Sequence, residues 1–251
     1  MSETTGIQWT NATWNPWHGC HKVSPGCKFC YMFRDKERYG KDGNIVLRSK
    51  TKFHDPLRWP KEHRMCFTCS WSDWLIEEAD AWREEAYRVI RATPHITYQI
   101  LTKRIERAEG LIPDPPLPNV WLGVSVENQK YAEERVEMLR RAPAVIRFIS
   151  QEPQIGRIVW TPDMLHGIDW LIIGGESGNS ARPFNLEWAL ETIETCRAAG
   201  VAVFVKQMGD NPFMVLEDGQ MFTPNFRATH GGNITEWPLE LQVREFPRVA
   251  A

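Results

Sequence analysis

The sequence predicts an α/β fold, a (β/α) barrel-like arrangement of six to seven parallel strands, and three observations lead to this prediction. Apolar, β-branched runs of strand length recur along the chain, and segments with apolar residues at three-to-four spacing separate them. The strand runs are almost continuously apolar, which is typical of strands covered on both faces of a parallel sheet. Each run ends in polar residues or glycine. A partial TIM barrel fits this pattern best, and an open, doubly wound sheet is the alternative.

The individual elements follow from the local pattern. Strands are predicted over residues 64–70, 97–102, 120–126, 145–150, 170–173 and 201–205, with a weaker first strand at 7–14. Helices are predicted over residues 76–90, 131–139 and 186–198. Asn185 suits the N-cap of the last helix, and Gly200 suits its C-terminal end. Four prolines between residues 111 and 118 predict a loop rather than a helix.

Length and composition fit one large domain with a short extension. The chain has 251 residues, of which 42% are hydrophobic and 25% charged, so it can bury a sizeable core. The strand–helix pattern stops after Gly209, which predicts a domain over residues 1–210, with its cysteine loop at 18–31, and a C-terminal extension over 211–251 packed on it. No apolar run reaches the roughly 18 residues of a membrane span, and residues 1–5 lack the features of a secretory signal. A cytoplasmic location, where thiols stay reduced, and no membrane partner are therefore expected.

Charge is unevenly distributed, although the net charge is only −2. Between Lys28 and Arg64 there are eleven Lys and Arg residues against five Asp and Glu residues, a local excess of six positive charges. We refer to residues 28–64 as the basic segment. Such a segment either contacts phosphates or forms a solvated basic loop, and the sequence leaves both interpretations open.

Polar and ionisable side chains recur where the predicted strands end. In a parallel barrel all these ends lie at one face, which is where active sites are built. A ring of purely structural loops has no need for so many ionisable groups, so we expect a ligand site at this face. The six segments are Ser70-Trp71-Ser72-Asp73, Thr102-Lys103-Arg104, Ser125-Val126-Glu127-Asn128, Gln151-Glu152, Gly174-Gly175-Glu176-Ser177 and Lys206-Gln207.

Three closely spaced cysteines predict a metal site. Cys20 and Cys27 are separated by six residues and Cys27 and Cys30 by two, with a proline–glycine turn in the longer gap. Soft thiolates select zinc, copper(I) or an iron–sulfur cluster. A structural zinc ion would take its fourth ligand from His18 or His21, whereas a redox dithiol would need only two of the cysteines. A cluster held by three cysteines would keep one iron open, and spacing alone does not separate this interpretation from zinc.

The other cysteines are expected to pack in the interior. Cys66 and Cys69 also have a two-residue spacing, but both fall inside a predicted strand, where side chains three residues apart point to opposite faces. Cys196 lies on the apolar face of a predicted helix.

The segment around the three cysteines resembles the radical S-adenosylmethionine (radical SAM) enzymes. Their motif places an aromatic residue before the last cysteine and follows the first barrel strand, as Phe29 and its segment do here. The first gap has six residues where most of that superfamily has three. Further segments are similar to an uncharacterised, phage-associated family that shares the three-cysteine motif and itself resembles radical SAM enzymes. The likeness covers residues 8–209 and a terminal stretch, in the segments Trp14-Asn15-Pro16-Trp17-His18-Gly19-Cys20, Leu101-Thr102-Lys103-Arg104, Gly123-Val124-Ser125-Val126-Glu127-Asn128, Gln151-Glu152-Pro153, Gly174-Gly175-Glu176-Ser177-Gly178, Trp237-Pro238 and Val243-Arg244-Glu245.

This resemblance implies two cofactors and a division of roles. Cys20, Cys27 and Cys30 would bind three irons of a [4Fe–4S] cluster, and the fourth iron would chelate S-adenosylmethionine. One electron, from a donor such as flavodoxin or ferredoxin, would then release a radical that abstracts hydrogen from the substrate. The residues expected to contact these cofactors are Phe29, Tyr31, Ser70, Ser72, Asp73, Ser125, Glu127, Glu152, Gly174, Gly175 and Glu176. The residues expected to meet a carboxylate or phosphate of the substrate are Lys103, Arg104, Lys206 and Gln207.

The sequence assigns neither a substrate nor a catalytic side chain, and nucleic acid or a nucleotide is the first expectation for the substrate. Two other functions stay open. One is a non-catalytic, zinc-stabilised protein that binds nucleic acid. The other is a metal-dependent nuclease that uses the carboxylates of Asp73, Glu127, Glu152 and Glu176.

Overall fold

A computed structural model describes residues 5–248, and strands and helices alternate along most of this range. Residues 1–4 of the predicted domain and 249–251 of the predicted extension lie outside it. The helices are α1 (Tyr31–Arg38), α2 (Asp80–Ala92), α3 (Gln129–Arg141), α4 (Pro162–Leu165) and α5 (Leu186–Ala199). The strands are β1 (Ala12–Trp14), β2 (Trp17–His18), β3 (Leu47–Arg48), β4 (Arg64–Thr68), β5 (Ile96–Thr102), β6 (Val120–Ser125), β7 (Ile146–Gln151), β8 (Trp170–Gly174), β9 (Phe184–Asn185), β10 (Ala202–Gln207), β11 (Pro212–Val215) and β12 (Met221–Phe222).

Seven parallel strands form the main sheet, in the order β1-β4-β5-β6-β7-β8-β10. Strands that follow one another in this order are joined by helices or loops, as parallel pairing requires. The predicted fold class, α/β with six to seven parallel strands of partial (β/α) barrel type, is therefore confirmed. Two small sheets accompany it, the antiparallel pair of β2 and β3 and the three-stranded set of β9, β11 and β12.

The chain divides into two compact units. Among the described residues, the first unit comprises residues 5–124 and 141–145, and the second comprises residues 125–140 and 146–248. The domain boundary predicted at residue 210 stays a prediction. Within residues 5–248, no helix combines the length and the apolar character that crossing a membrane requires.

In the first unit, β1, β4 and β5 are parallel neighbours in the sheet, and buried aromatic side chains pack against them. Cys66 of β4 lies between Ala12 and Tyr98 in the register of the three strands. The Trp14 and Tyr98 rings pack with their centroids 5.5 Å apart, and both side chains are fully buried. The strand predicted over 64–70 ends at Thr68, because the next residue adopts a left-handed backbone that a strand cannot continue.

The three predicted helices are observed close to the predicted residues, whereas α1 and α4 were not predicted. The helix predicted over 76–90 starts with a 3₁₀ turn at Glu77–Ala79 and continues as α2. In the second unit, the side chain of Asn185 accepts a hydrogen bond from the Glu187 amide at 3.0 Å, and Gly200 closes α5 with φ of +74°. Both predicted caps of this helix are therefore present.

The end of the described chain lies against β10 in the second unit. The Val205 amide donates to the Val243 carbonyl and the Glu245 amide donates to the Val203 carbonyl, each at 2.8 Å. The indole of Trp170 on β8 donates to the Glu245 carbonyl, also at 2.8 Å. Residues 243–245 are thus held by the backbone of β10 and by a core side chain of β8.

Candidate functional site

The three predicted metal-binding cysteines lie on one loop of the first unit, between β2 and α1. The Cys20 amide donates to the Gly43 carbonyl at 3.0 Å, and the Cys27 amide donates to the Ser24 carbonyl at 3.0 Å in a short 3₁₀ turn. Cys30 is the N-cap of α1. All three thiols are free and partly exposed, in contrast to the buried Cys66, Cys69 and Cys196. The loop therefore presents three thiols that a metal can reach.

The charge of Cys27 acts on both of the other thiols of the loop. Burial, the Asp73 charge and a Cys27 thiolate raise the pKa of Cys20 to about 12, against the opposing effect of Arg104. Burial raises the pKa of Cys30 as well, and the charge of Cys27 acts in the same direction. A soft metal bound here would displace protons from these thiols, and its positive charge would compensate the negative charges of the thiolates.

Positive groups beside the loop favour the thiolate forms. The Met32 and Phe33 amides at the start of α1 lower the pKa of Cys30, as does the Lys103 charge, although burial keeps the net pKa raised. Amide groups at a helix N-terminus stabilise a nearby anion in the same way.

Arg104 is the cation nearest to Cys20. Its Nη1 donates to the Cys20 Sγ at 3.7 Å, and its Nη2 donates to the His21 carbonyl at 3.0 Å. The residue is only 4% exposed. The Asp73 carboxylate lies 3.3 Å from Nη1 and forms the ion pair that a buried guanidinium needs.

The Asp73 carboxylate, predicted to contact the cofactor, is fully engaged within the first unit. It accepts hydrogen bonds from the Thr102 hydroxyl at 2.6 Å, the Lys103 amide at 2.8 Å and the Leu75 amide at 2.9 Å. Together with the Arg104 ion pair, these donors account for its acceptor sites. Asp73 therefore joins the end of β5 to the segment after β4 and positions Arg104.

The serines after β4 hold the cysteine loop in place. The Ser72 hydroxyl donates to the Gly19 carbonyl at 2.6 Å, and the Gly19 amide donates to the Trp71 carbonyl at 2.9 Å. The Tyr31 hydroxyl donates to the Ser70 carbonyl at 2.5 Å. The segment 70–72 is thus the scaffold of the cysteine loop, and the tyrosine after the third cysteine is one of its ties.

The remaining residues of the loop differ in their surroundings. The Phe29 ring lies beside the Lys28 ammonium, 5.0 Å from its centroid. His21 Nε2 lies 2.5 Å from a Glu78 carboxylate oxygen. His18 Nδ1 is buried and has no hydrogen-bond partner among residues 5–248.

In that same range, no group of three or more His, Cys, Asp or Glu side chains is arranged to hold a single metal ion.

In the second unit, Glu127 is paired with an arginine inside the protein. Its carboxylate lies 2.9 Å from Arg135 Nη1, and the exposed fractions of the two side chains are 0% and 6%. The same guanidinium donates to the Ser125 carbonyl at 2.7 Å. Two predicted cofactor residues are therefore joined to α3 by one buried cation.

Glu152 and Lys206 form a half-buried ion pair at the ends of β7 and β10. Gly174 of β8 lies next to them, since a Cβ placed there would be 3.2 Å from the Glu152 side chain. Only one carboxylate oxygen of Glu152 contacts Lys206. This pair is the part of the predicted strand-end site that keeps acceptor capacity for a ligand.

Glu176 and Gly175, the other residues of the predicted glycine-rich element, have partners within the chain. The Glu176 carboxylate accepts from the Arg182 backbone amide at 3.0 Å, from its Nε at 2.8 Å and from its Nη2 at 2.5 Å. A Cβ on Gly175 would collide with the Met208 carbonyl. The Gln207 amide group donates to the Gly175 carbonyl at 3.0 Å. The second glycine thus allows two backbone segments to approach closely.

Comparison with known families places the chain in a group without an assigned function. The family model described as "Protein of unknown function (DUF5131)" matches residues 4–229. The chain belongs to the DUF5131 family. Neither a curated protein nor a solved structure matches it.

This DUF5131 protein also contains polar residues that the sequence did not single out. Asn15 Oδ1 accepts from the Trp71 amide at 2.7 Å and fixes the scaffold of the cysteine loop. Asp210 Oδ2 accepts from the Gly178 amide at 2.5 Å and lies 2.6 Å from His230 Nδ1. These contacts join residues distant in the chain, so spacing gave no signal for them. Asn15 does stand within a segment that the resemblance had already marked.

Proposed function

We propose that this DUF5131 protein is a radical S-adenosylmethionine enzyme whose Cys20, Cys27 and Cys30 hold a [4Fe–4S] cluster. The observation that carries the proposal is one loop with three free, partly exposed and electrostatically coupled thiols, directly after the first strands. Three thiolates on such a cluster each bind a different iron, so their sulfurs need not converge on one atom as the ligands of a single ion do.

The surroundings of the loop suit an anionic cluster. Arg104 donates to one sulfur, and Lys103 and the first amides of α1 favour the anionic form of another. Loops that bind clusters need such donors because the thiolate–cluster unit carries negative charge. Cys20, Cys27 and Cys30 would hold the cluster, which when reduced would supply one electron to the sulfonium of S-adenosylmethionine, so that methionine leaves and a deoxyadenosyl radical becomes available to take a hydrogen atom from the substrate.

The chain's own residues would position this group and its ligands. Ser70 and Ser72 fix the backbone of the cysteine loop. Phe29 and Tyr31, which flank Cys30 in the sequence, would supply aromatic surface. Within the second unit, Glu152 has acceptor capacity remaining on its carboxylate for a hydroxyl or amino group.

We propose a polyanionic substrate, with nucleic acid as the class to test. Support comes from the basic segment, where several cations are exposed and form no ion pair within residues 5–248: Arg34, Arg38, Lys41, Lys50, Arg58 and Lys61. Arg48 and Lys52 of the same segment are paired with Glu85 and Asp55. Unpaired exposed cations are those that phosphate groups engage.

The proposal also includes a setting and a redox partner. A thiol-bound cluster is compatible with a reducing compartment such as the cytoplasm. The electron would come from a small carrier of the flavodoxin or ferredoxin class.

The decisive experiment is metal and sulfide analysis after anaerobic purification. Wild-type protein is expected to be brown and to contain about four irons per chain. Cys30→Ala should lose the iron, and Cys196→Ala, which removes a buried cysteine on α5, should retain it. Reduced wild type should convert S-adenosylmethionine to 5′-deoxyadenosine. Colourless wild type without iron would contradict the proposal, and intact clusters without that product would leave a cluster protein of another kind.

A structural zinc site is the second candidate, because one observation favours it. The buried Nδ1 of His18 lacks a partner in the described chain, two residues before Cys20, and zinc commonly takes one histidine with three cysteines. Zinc binding would have to draw these side chains together, since no three of them are arranged around one point among residues 5–248. One zinc per chain that is lost in both Cys30→Ala and His18→Gln would establish this function in place of the cluster.

A further inference from the structure

Arg104 is placed to act on the cluster through Cys20. We infer that this arginine is a positioning residue that raises the reduction potential of the cluster, an inference that rests on the proposed function. The guanidinium spans three groups of the first unit, the Cys20 sulfur at 3.7 Å, the His21 carbonyl at 3.0 Å and the Asp73 carboxylate at 3.3 Å.

The geometry of Arg104 is fixed from both ends. Its backbone amide donates to the Thr102 hydroxyl at 2.9 Å, and that hydroxyl donates to Asp73 at 2.6 Å. Backbone and side chain are therefore held by the same small network. With only 4% of the residue exposed, water does not compete for its donors.

The anionic partners of Arg104 leave room for a further negative charge. Its Nε lies 4.0 Å from a Glu77 carboxylate that is 61% exposed, which makes this ion pair weak. Asp73 shares its charge among three other donors. A thiolate at Cys20 gives the guanidinium a second close anion, and the Nη1 hydrogen bond already points at that sulfur.

A hydrogen bond donated to a cluster-binding sulfur, and a buried positive charge next to that sulfur, both stabilise the reduced state of the cluster, because this state is the more negative one. Hydrogen bonds to the sulfurs, net charge and solvent exposure are the quantities that set cluster potentials. Removal of Arg104 should therefore make the cluster harder to reduce. A purely structural arginine, which only holds the His21 carbonyl and Asp73, would change stability without moving the potential.

The test is a redox titration of cluster-loaded protein, in which electron paramagnetic resonance measures the amount of reduced cluster at each potential. In Arg104→Met we expect a midpoint potential more negative than in wild type. In Arg104→Lys, which keeps the charge but loses the planar fork, we expect a smaller shift in the same direction. Arg107→Met is the matched control, because within residues 5–248 Arg107 contacts the Leu75 carbonyl, Asp80 and Glu77 but no cysteine. Its potential should equal that of wild type.

The outcomes separate this inference from the function on which it rests. Wild type without iron refutes the proposed function. Wild type with a cluster, and Arg104→Met with the same midpoint potential, refutes the role of Arg104 alone. If Arg104→Met loses its iron or does not fold, Arg104→Lys decides, since an unchanged potential there also overturns the inference.

Discussion

Glu127 allows the sharpest test of which strand-end residues bind ligands and which hold the protein together. Its carboxylate is completely buried and lies 2.9 Å from Arg135 Nη1. Two unit charges at this distance attract by about 6 kcal/mol at an effective dielectric constant near 20. Glu127→Gln removes the charge, keeps the shape and leaves a buried guanidinium without its anion. Since glutamine still accepts one hydrogen bond, we predict a loss of about 3–5 kcal/mol in the free energy of unfolding.

The assay is urea unfolding of wild type and three variants, with circular dichroism as the signal that monitors unfolding. Glu133→Gln is the matched control, because Glu133 is exposed on α3 and, within residues 5–248, its side chain accepts only from the Gln129 side chain. Its effect should stay within about 0.5 kcal/mol. The double variant Glu127→Gln/Arg135→Met removes both charges, so it should be less destabilised than Glu127→Gln alone.

A different result would refute this structural role. If Glu127→Gln unfolds within about 1 kcal/mol of wild type, Arg135 does not depend on this carboxylate. If it also weakens binding of S-adenosylmethionine at unchanged stability, Glu127 is the ligand-binding residue that the sequence suggested.

Three further predictions concern the cysteine loop, acid stability and the basic segment. Gly19→Ala should lower the melting temperature and abolish iron binding. The φ of +99° at this position disfavours a side chain, and a Cβ would collide with the Ile45 carbonyl. Unchanged iron content in this variant would contradict the prediction. Partial burial raises the pKa of Asp80, but hydrogen bonds from Arg107 and a second arginine bring it below its ordinary value. Stability from Asp80 is thus present above about pH 4 and lost as pH falls through the folded pKa, so Asp80→Asn should flatten acid unfolding curves there. Binding of a single-stranded oligonucleotide to the basic segment should weaken steeply with salt in fluorescence anisotropy, and salt-independent affinity would exclude phosphate contacts.

Much of the fold could be predicted because its signals are local. The strand predicted over 170–173 is observed as Trp170–Gly174, and the helix predicted over 186–198 as Leu186–Ala199. Continuous apolar runs define buried parallel strands, and the caps of the last helix stand next to it in the sequence. The strand predicted over 64–70 was too long by two residues, since nothing in the sequence announces the left-handed backbone of Cys69, with φ of +61°.

The sequence predicted which types of residue make up the candidate site, but not which side chains pair with one another there. The cysteine loop stood out by spacing, but the partners that occupy Asp73 and Glu176 depend on where loops return in space. Arg135 did leave a signal, because a basic residue among the buried Ala132, Val136 and Leu139 of α3 needs an internal anion. That pattern would have predicted an internal anion for Arg135 before the fold was known, although not that Glu127 supplies it.

The occupancy of the acidic side chains bears on the choice between a cluster enzyme and a nuclease. A nuclease of the two-metal type needs carboxylate oxygens with free lone pairs to bind magnesium or manganese. Asp73, Glu127 and Glu176 each give their oxygens to an arginine, and Asp73 and Glu176 also accept from backbone amides. A divalent cation would have to displace a guanidinium at each of them. At the cysteine loop the cation acts in the other direction. Arg104 at the Cys20 sulfur opposes the burial that raises the pKa of this thiol, and so favours the thiolate that a soft metal requires.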